Sequence, residues 1–493
     1  MNSPSLLSTI NPATEPDKLD SVERAEIDAS TRGPVLLFFG TAIFWLLMGS
    51  LLGLISAWKI TNPGLFDSIS WLTFGRLRPA HLNLVAYGWA VPAAIGVGLW
   101  LTARLCRVPL LHAKLLISSA IVWNLGILVG LSGILIGDGR SIEWLEFPAY
   151  ATPILFIAYA CISVWTIIMF RFRKSGHIYV SQWYLFAAFL WFPWLYATAN
   201  ILLVWQPVQG PAQGAINWWY AHNVLGLWFT PIGLAAAYYF IPKVIGRPIH
   251  SYYLSILGFW SLALFYSWNG MHHLIGGPFP AWMVSASVVA SVVMFIPVIT
   301  TAINHHMTMK GHFEALNWSP TLRFIVFGAV SYTVVSLQGT SMAIPALNSI
   351  THFTDYTIGH AHLGLYAFFT MIMFGSMYYI VPRLVGGEWP CANLIRWHFW
   401  LSAVGIILMV GALTLGGLLQ GLALYDVAST FRSSIEFATP FRVLRGISGF
   451  ILMGGQLVFA YLFVQMLLKP GSQKKSPAHF DKSDNSSNDS VAI

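Results

Sequence analysis

Two histidines stand two positions apart inside one apolar segment. They are His360 and His362, in the stretch TIGHAHLGLYAF. On a helix, residues i and i+2 lie about 200° apart, so the two rings point to nearly opposite sides. An imidazole in an apolar interior costs several kcal/mol unless something binds it, and imidazole is a ligand suited to iron, copper and zinc. The spacing therefore predicts two ligand sites, one on each side of this helix.

Four further histidines stand in apolar surroundings elsewhere in the chain. His81 lies in RLRPAHLNLVAYGW, His222 in WWYAHNVLGLWF, and His272 and His273 in YSWNGMHHLIGG. A lone histidine in such a segment is more often a hydrogen-bonded packing residue than a ligand. Whether the six imidazoles meet depends on the elements that carry them.

The composition is that of a membrane protein. Of the 493 residues, 56% are hydrophobic and 9% are charged, whereas a soluble domain carries about 25% charged residues. A spanning helix needs about 20 apolar residues, so we expect an all-α membrane protein with twelve transmembrane helices in one domain, 34–468. The helices are predicted at 34–58, 80–103, 115–136, 147–170, 181–204, 216–241, 252–274, 281–304, 322–342, 357–381, 398–423 and 444–468. We expect 1–33 to be a polar cytoplasmic segment without a signal-peptide pattern, and 469–493 a disordered cytoplasmic tail.

The distribution of basic residues orients the predicted bundle. An even number of helices puts both termini on one side, and the positive-inside rule favours the cytoplasm. That choice leaves on the outer side only Lys59, Arg76, Arg78, Arg140, Arg432, Arg442 and Arg445. Predicted helices 2, 6 and 10 then begin on the outer side and helix 7 ends there. All six histidines therefore fall at a similar depth, and coincidence does not explain the set.

The six imidazoles divide into three sites. We expect His81 and one residue of the helix-10 pair to hold a haem iron from both faces. The other helix-10 histidine would hold a second haem on one face, below a three-nitrogen site formed by His222, His272 and His273. The remaining histidines, His305 and His398 among them, are interpreted as interfacial or solvated residues. His352, in the loop before helix 10, is expected to support a ligand.

Together these motifs resemble subunit I of the haem–copper oxidases, specifically the cbb3-type cytochrome c oxidases. The similarity spans predicted helices 2 to 12. Its departure from the family is RPAHLN in place of RPxHTN, so that Leu82 removes a hydroxyl beside His81. The segments that carry the resemblance are WWYAHN at 218–223, YSWNGMHHL at 266–274, HFTDYTIGHAHLG at 352–364, YYFIPK at 238–243 and PFRVLRGISG at 440–449.

The resemblance implies a role for each histidine. It assigns His81 and His362 to the iron of a low-spin haem b and His360 to the iron of a high-spin haem b. It assigns one copper ion to the three imidazoles of His222, His272 and His273. Tyr266 stands where the family keeps its active-site tyrosine, which the resemblance implies is covalently joined to His222. The alternative for Tyr266 is an ordinary aromatic packing residue.

The activity that the resemblance implies is the four-electron reduction of O2 to water, coupled to proton uptake and translocation. The tyrosine would supply one electron and one proton. The first alternative is a nitric oxide reductase large subunit, which adds a glutamate ligand to a non-haem iron. Helix 6 reads NVLGLWFTPIG after His222 and offers no acid, which favours copper. The remote alternative is a transporter, which predicts broken helices or intramembrane carboxylates rather than imidazoles at one depth.

Polar residues around the predicted centre suggest further roles. We expect a proton path through Tyr238 and Ser255 to Tyr266, because Ser255 and Tyr266 share one face of helix 7. The alternative for Ser255 is a hydrogen bond to its own helix. Arg78 and Arg445 are expected to bind haem propionates, since guanidinium pairs with carboxylates. The loop GDGRSIEWLEFPAY carries Glu143 and Glu146, which are either calcium ligands by the resemblance or solvated acids.

The cysteines leave electron delivery to another chain. Cys106, Cys161 and Cys391 form no CxxC, CxxCH or CxxxC motif, so we expect neither attached c-type haem nor a cysteine-bound copper pair. The resemblance implies membrane-anchored c-type cytochrome subunits as donors, with another donor as the alternative. It also implies the cytoplasmic (inner) membrane of a bacterium. The net charge of +8 is explained by cytoplasmic loops, without a nucleic-acid partner.

Overall fold

The described chain is a helical bundle. The computed structural model describes residues 21–174 and 176–468, and the predicted tail 469–493 lies outside them. We label twelve helices α1 to α12. They are α1 (Ser21–Thr61), α2 (Phe74–Cys106), α3 (Ala113–Ile136), α4 (Ala149–Arg171), α5 (Val180–Trp205), α6 (Ala212–Ile245), α7 (Tyr252–Phe265, continued by a 3-10 helix over Tyr266–Leu274), α8 (Ala281–Met309), α9 (Pro320–Met342), α10 (Asp355–Val385), α11 (Ala392–Tyr425) and α12 (Phe431–Leu468).

Eleven of these helices are long and apolar enough to cross a membrane. The twelfth is α7, whose regular part is short because the helix tightens at Tyr266. The predicted all-α bundle of twelve helices is thereby confirmed, with one helix that changes its winding where the predicted ligands lie. The described residues form no β-strand.

Two helices extend beyond their apolar segments. Helix α1 begins at Ser21 rather than at residue 34 and carries Asp28, and α12 begins at Phe431 rather than at residue 444. Asp28 accepts a hydrogen bond from the Trp100 indole at 2.9 Å and pairs with Arg104 at 3.6 Å. The predicted spanning helices contain no acid, because the first of them begins at residue 34 and so leaves out the polar extension that carries Asp28.

Three helices change winding immediately after a predicted ligand. The π-helical segments Leu84–Ala90, Leu225–Phe229 and Leu363–Thr370 follow His81, His222 and His362. A π segment is rare and is frequently found at functional sites, because it re-aims the side chains of the turn before it. The backbone is therefore irregular in α2, α6 and α10 at the same depth.

The first turn of α10 is held tightly to α11 and α12. A Cβ on Gly417 would lie 2.0 Å from the Tyr356 nitrogen, so only glycine permits this approach of α11. The Asp355 carboxylate accepts a hydrogen bond from Arg442 at 2.7 Å, and both side chains are largely buried. Gln420 accepts a hydrogen bond from the Asp355 backbone N–H at 3.0 Å. These contacts fix the helix start that precedes His360.

Replacing Asp355 by alanine should destabilise the protein strongly. Removal of one partner from a buried ion pair leaves an uncompensated charge and costs about 3–5 kcal/mol. The matched control is Glu436→Ala, which breaks the exposed Arg432–Glu436 pair and should cost under about 1 kcal/mol. Thermal unfolding of the purified variants measures both. Equal losses would mean that the buried pair does not anchor α10.

Candidate functional site

Three imidazoles converge between α6 and the 3-10 end of α7. One ring nitrogen each of His222, His272 and His273 lies within 4.8 Å of the others. Among the described residues this is the only group of three or more potential metal ligands with such spacing. All three are imidazoles, which suits copper, zinc or iron better than a cation that prefers oxygen ligands.

Neighbouring side chains orient two of these rings. The Ser291 hydroxyl donates to the Ser287 carbonyl and lies 2.8 Å from His272 Nδ1. Because the Ser291 hydroxyl donates its proton to Ser287, its oxygen acts as an acceptor for His272 Nδ1–H. The Nε2 atom of His272 then carries the lone pair that is available to a metal. His273 stacks on Trp218, with ring centroids 4.0 Å apart. Contacts of this kind fix ring orientation and tautomer in metal sites.

Tyr266 lies directly beside His222. Their ring centroids are 4.7 Å apart, at an angle of 31°. Gly226, one turn after His222, provides the space, because a Cβ there would lie 1.7 Å from a Tyr266 ring carbon. His222 Nδ1 is buried without a hydrogen-bond partner among the described residues. An orphaned imidazole nitrogen in this position fits a metal ligand.

The other three imidazoles each have Nδ1 engaged. The acceptors are the Gly49 carbonyl for His81 (2.8 Å), the Gln338 amide oxygen for His360 (3.2 Å) and the Ile358 carbonyl for His362 (2.8 Å). With Nδ1–H donated, Nε2 carries the lone pair in all three rings. A Cβ on Gly53 would lie 2.4 Å from His81 Nδ1, so α1 makes room for that ring.

The six imidazoles fall into two groups on either side of α10. His81 interacts electrostatically with His362. His360 interacts in the same way with each member of the three-histidine cluster. His352 stacks on the exposed ring of Phe353. It is outside the group of three but interacts electrostatically with His272 and His273 and hydrogen-bonds to the His273 backbone.

Two arginines lie near the His81–His362 pair. Arg78 and Arg445 both interact electrostatically with His81. Arg445 is partly exposed, but its Nη1 atom is buried and has no hydrogen-bond partner within the described part of the chain. Arg78 is half-exposed and pairs with Glu143 at 3.1 Å. A guanidinium with a buried, orphaned nitrogen fits an anionic group such as a carboxylate.

The two predicted loop acids have different surroundings. Glu143 is engaged by Arg78, whereas Glu146 accepts a hydrogen bond from Asn83 Nδ2 at 2.9 Å through Oε2. Glu146 Oε1 is buried without a partner in residues 21–174 and 176–468. Burial, helped by the neighbouring Glu143 charge, raises the pKa of Glu146 to about 7.

The predicted proton-path residues lie in one polar region. Ser255 Oγ accepts a hydrogen bond from Asn304 at 2.9 Å. It also donates to the Ser251 carbonyl at 3.2 Å, which is the own-helix bond given above as the alternative. The Tyr238 hydroxyl is buried without a direct partner among the residues described, close to Thr301, Asn304 and Ser255. Tyr332 on α9 interacts with both Tyr238 and Tyr266 and so connects the two ends of the predicted path.

Two histidines interpreted as interfacial or solvated are buried instead. His398 is fully buried, and its Nδ1 lies 2.8 Å from the Tyr378 hydroxyl. His305 is also buried, with its ring 4.6 Å from that of Tyr238. The interpretation was wrong because both residues lie near the ends of their apolar segments, where hydropathy does not show how α8 and α11 pack.

Comparisons with known proteins agree with this arrangement. The family described as cytochrome c and quinol oxidase polypeptide I matches residues 33–451. The cbb3-type cytochrome c oxidase subunit CcoN1 of Stutzerimonas stutzeri is 34% identical over 85% of this chain and 91% of its own length. A bacteroid cytochrome c oxidase subunit 1 homolog of Bradyrhizobium diazoefficiens is 33% identical over 87% of this chain and 81% of its own.

A solved haem–copper terminal oxidase dimer shares the fold. Its TM-score is 0.70, with 15% identity over 93% of this chain and 86% of that one. A nitric oxide reductase chain of Stutzerimonas stutzeri is a more distant relative, 27% identical over 50% of this chain and 55% of its own. The chain thus belongs to the cytochrome c and quinol oxidase polypeptide I family, as a cbb3-type cytochrome c oxidase subunit I.

Proposed function

We propose that this subunit reduces O2 to water between His360 and the cluster of His222, His272 and His273, with Tyr266 as the redox-active side chain. The observation that carries the proposal is the three-imidazole cluster with Tyr266 beside one ring and His360 facing all three. Electrons would enter through the site formed by His81 and His362.

The donor set fits two haems b and one copper ion. His81 and His362 each offer an Nε2 atom and would together hold one haem iron, and His360 offers one Nε2 atom and would hold the iron of the other haem. His222 Nδ1 and His272 Nε2 are available to copper. When bound, these metals would supply the electrons and the site at which O2 is held. The orphaned Arg445 nitrogen and Arg78 would hold haem propionates.

The protein's own groups would supply the protons. Tyr266 lies beside His222 of the three-histidine cluster, and protons would reach it from Ser255 and Tyr238 by way of Tyr332. Hydroxyl and amide groups rather than carboxylates line this region. A phenol beside the reacting oxygen can give a proton and an electron together, which carboxylates cannot do.

A nitric oxide reductase is the less favoured candidate. Its iron site requires a glutamate, and the cluster found among the described residues contains imidazoles alone. Metal analysis of the purified oxidase separates the two, with copper expected and non-haem iron contradicting the proposal.

The remaining proposals concern surroundings and placement. Both termini would face the cytoplasm of a bacterial inner membrane, which puts the histidine end of the bundle on the outer side. Membrane-anchored c-type cytochrome subunits would deliver electrons there. Glu146 Oε1 is the carboxylate oxygen open to a calcium ion, and calcium analysis of Glu146→Gln against the parent protein tests that site.

Replacing His360 by leucine should remove the high-spin haem. The variant offers no nitrogen to that iron, so the haem content by pyridine haemochrome should fall from two per chain to one. Oxygen consumption should fall below about 1% of the parent rate, since the step lost is worth several orders of magnitude. His306→Gln, at an exposed histidine of α8, is the control and should keep both haems. An active His360→Leu variant would contradict the ligand assignment.

Gly226→Ala should impair catalysis without loss of the haems. The added Cβ meets the Tyr266 ring at 1.7 Å, so the phenol has to move away from His222. We expect oxygen reduction to fall at least about tenfold, as misplacement by about 1 Å does elsewhere. Gly411→Ala is the matched helical control, because nothing lies within 4 Å of its Cβ. Equal activity of both variants would exclude a catalytic need for this tyrosine position.

Glu146 should make stability depend on pH. Its pKa of about 7 in the folded protein exceeds the ordinary value of 4.5. Folding therefore favours the protonated form, and stability is lost as pH rises from about 5 to 7, by up to about 1.4 kcal/mol per pH unit. Unfolding of Glu146→Gln in calcium-free buffer should lack this component. Glu436→Gln, which removes an exposed acid of α12, is the control, and an unchanged slope in Glu146→Gln would refute the prediction.

A further inference from the structure

His305 is a buried imidazole that the proposed ligand sites do not use. It lies on α8 and is 5% exposed, and its Nε2 has no hydrogen-bond partner among the described residues. The next residue, His306, is exposed, and its Nδ1 is hydrogen-bonded to the Ala302 carbonyl at 2.7 Å. The two histidines therefore allow a buried and an exposed imidazole to be compared at adjacent positions of the same helix.

The surroundings of His305 are polar and incompletely hydrogen-bonded. Its ring packs against that of Tyr238 at a centroid distance of 4.6 Å and an angle of 62°. The hydroxyls of Tyr238, Thr301 and Tyr184 are also buried without direct partners in the described part of the chain. These groups come from α5, α6 and α8. Orphaned polar atoms that share one interior are usually satisfied by ordered water.

This region is continuous with the proposed proton path. Asn304, adjacent to His305, donates to Ser255 at 2.9 Å and to the Ser251 carbonyl at 2.8 Å. Thr301 lies one helical turn from His305, and beyond Thr301 stands Tyr332, which interacts with Tyr266. His305 is therefore the member nearest the Met309 end of α8, on the side opposite the metal cluster.

We propose that His305 relays protons into this path. It would accept a proton at one ring nitrogen from water at the Met309 end of α8. It would release the proton on its other nitrogen toward the water near Tyr238, after which the ring returns to its first tautomer. Each cycle moves one proton and leaves the imidazole neutral. This inference rests on the proposed oxygen reduction, because that reaction consumes the protons.

Imidazole suits this role better than the hydroxyl groups around it. It carries a donor and an acceptor on opposite sides of one ring, so it can take a proton on one nitrogen while it gives one up from the other. An ordinary packing histidine would contribute only shape and a hydrogen bond. The two roles differ in what glutamine can replace, since an amide fills space and binds water but does not take up a proton near neutral pH.

The test compares His305→Gln and His305→Phe with His306→Gln in the complete oxidase complex. We expect all three to retain the parent haem and copper contents. In both His305 variants, the proton uptake that accompanies anaerobic reduction, without turnover, should slow at least about tenfold. Oxygen consumption should fall in parallel, while the low-spin haem is reduced at the parent rate. His306→Gln should match the parent in every measurement.

Proton uptake at the parent rate in His305→Gln would overturn the relay, because the amide does not carry the proton. If His305→Phe does not assemble, His305→Asn takes its place, with the same outcomes. The proposed function fails separately, if the parent complex lacks copper or does not consume oxygen. A failed relay with an active parent would leave oxygen reduction intact and put proton entry elsewhere.

Discussion

The structure depends on one constraint, which is that six imidazoles lie in a low-dielectric helical bundle and each must be satisfied there. Four of them donate Nδ1–H to a fixed acceptor: Gly49, Gln338, Ile358 or Ser291. Such a bond removes the cost of one buried polar group and determines which nitrogen keeps a lone pair. The remaining nitrogen is costly to bury unless a metal binds it. In these four rings the Nε2 atom therefore keeps the lone pair that a metal would need.

The irregular backbone follows from this constraint. An α-helix presents its side chains at fixed angles, and rings that must meet a flat cofactor or each other do not all fit that spacing. The π segments after His81, His222 and His362 and the 3-10 winding through His272 and His273 adjust these angles locally. Glycines at the same depth, such as Gly226 and Gly53, admit the rings.

Much of this arrangement could be predicted from the sequence, but not its supporting contacts. The apolar segments predict twelve helices, and helix parity puts the six histidines at one depth. Hydropathy does not predict the polar extension of α1 that carries Asp28, because Asp28 is buried through an ion pair with Arg104 that the sequence does not show. Nor does it show that His305 and His398 are buried. The roles of Ser291 and Gln338 depend on contacts between helices distant in the chain, which no local pattern encodes.

The three-histidine cluster contains no carboxylate among the residues described. This has a physical consequence for proton movement. A carboxylate buried in the apolar interior would have its pKa raised and would add charge beside metals whose potentials depend on local charge. Hydroxyls and imidazole pass protons on without a fixed charge, provided that water bridges them. The orphaned hydroxyls of Tyr184, Tyr238 and Thr301 leave room for such bridging. The proposed path would thus keep neutral proton carriers in the interior of the bundle and leave charged residues to its ends.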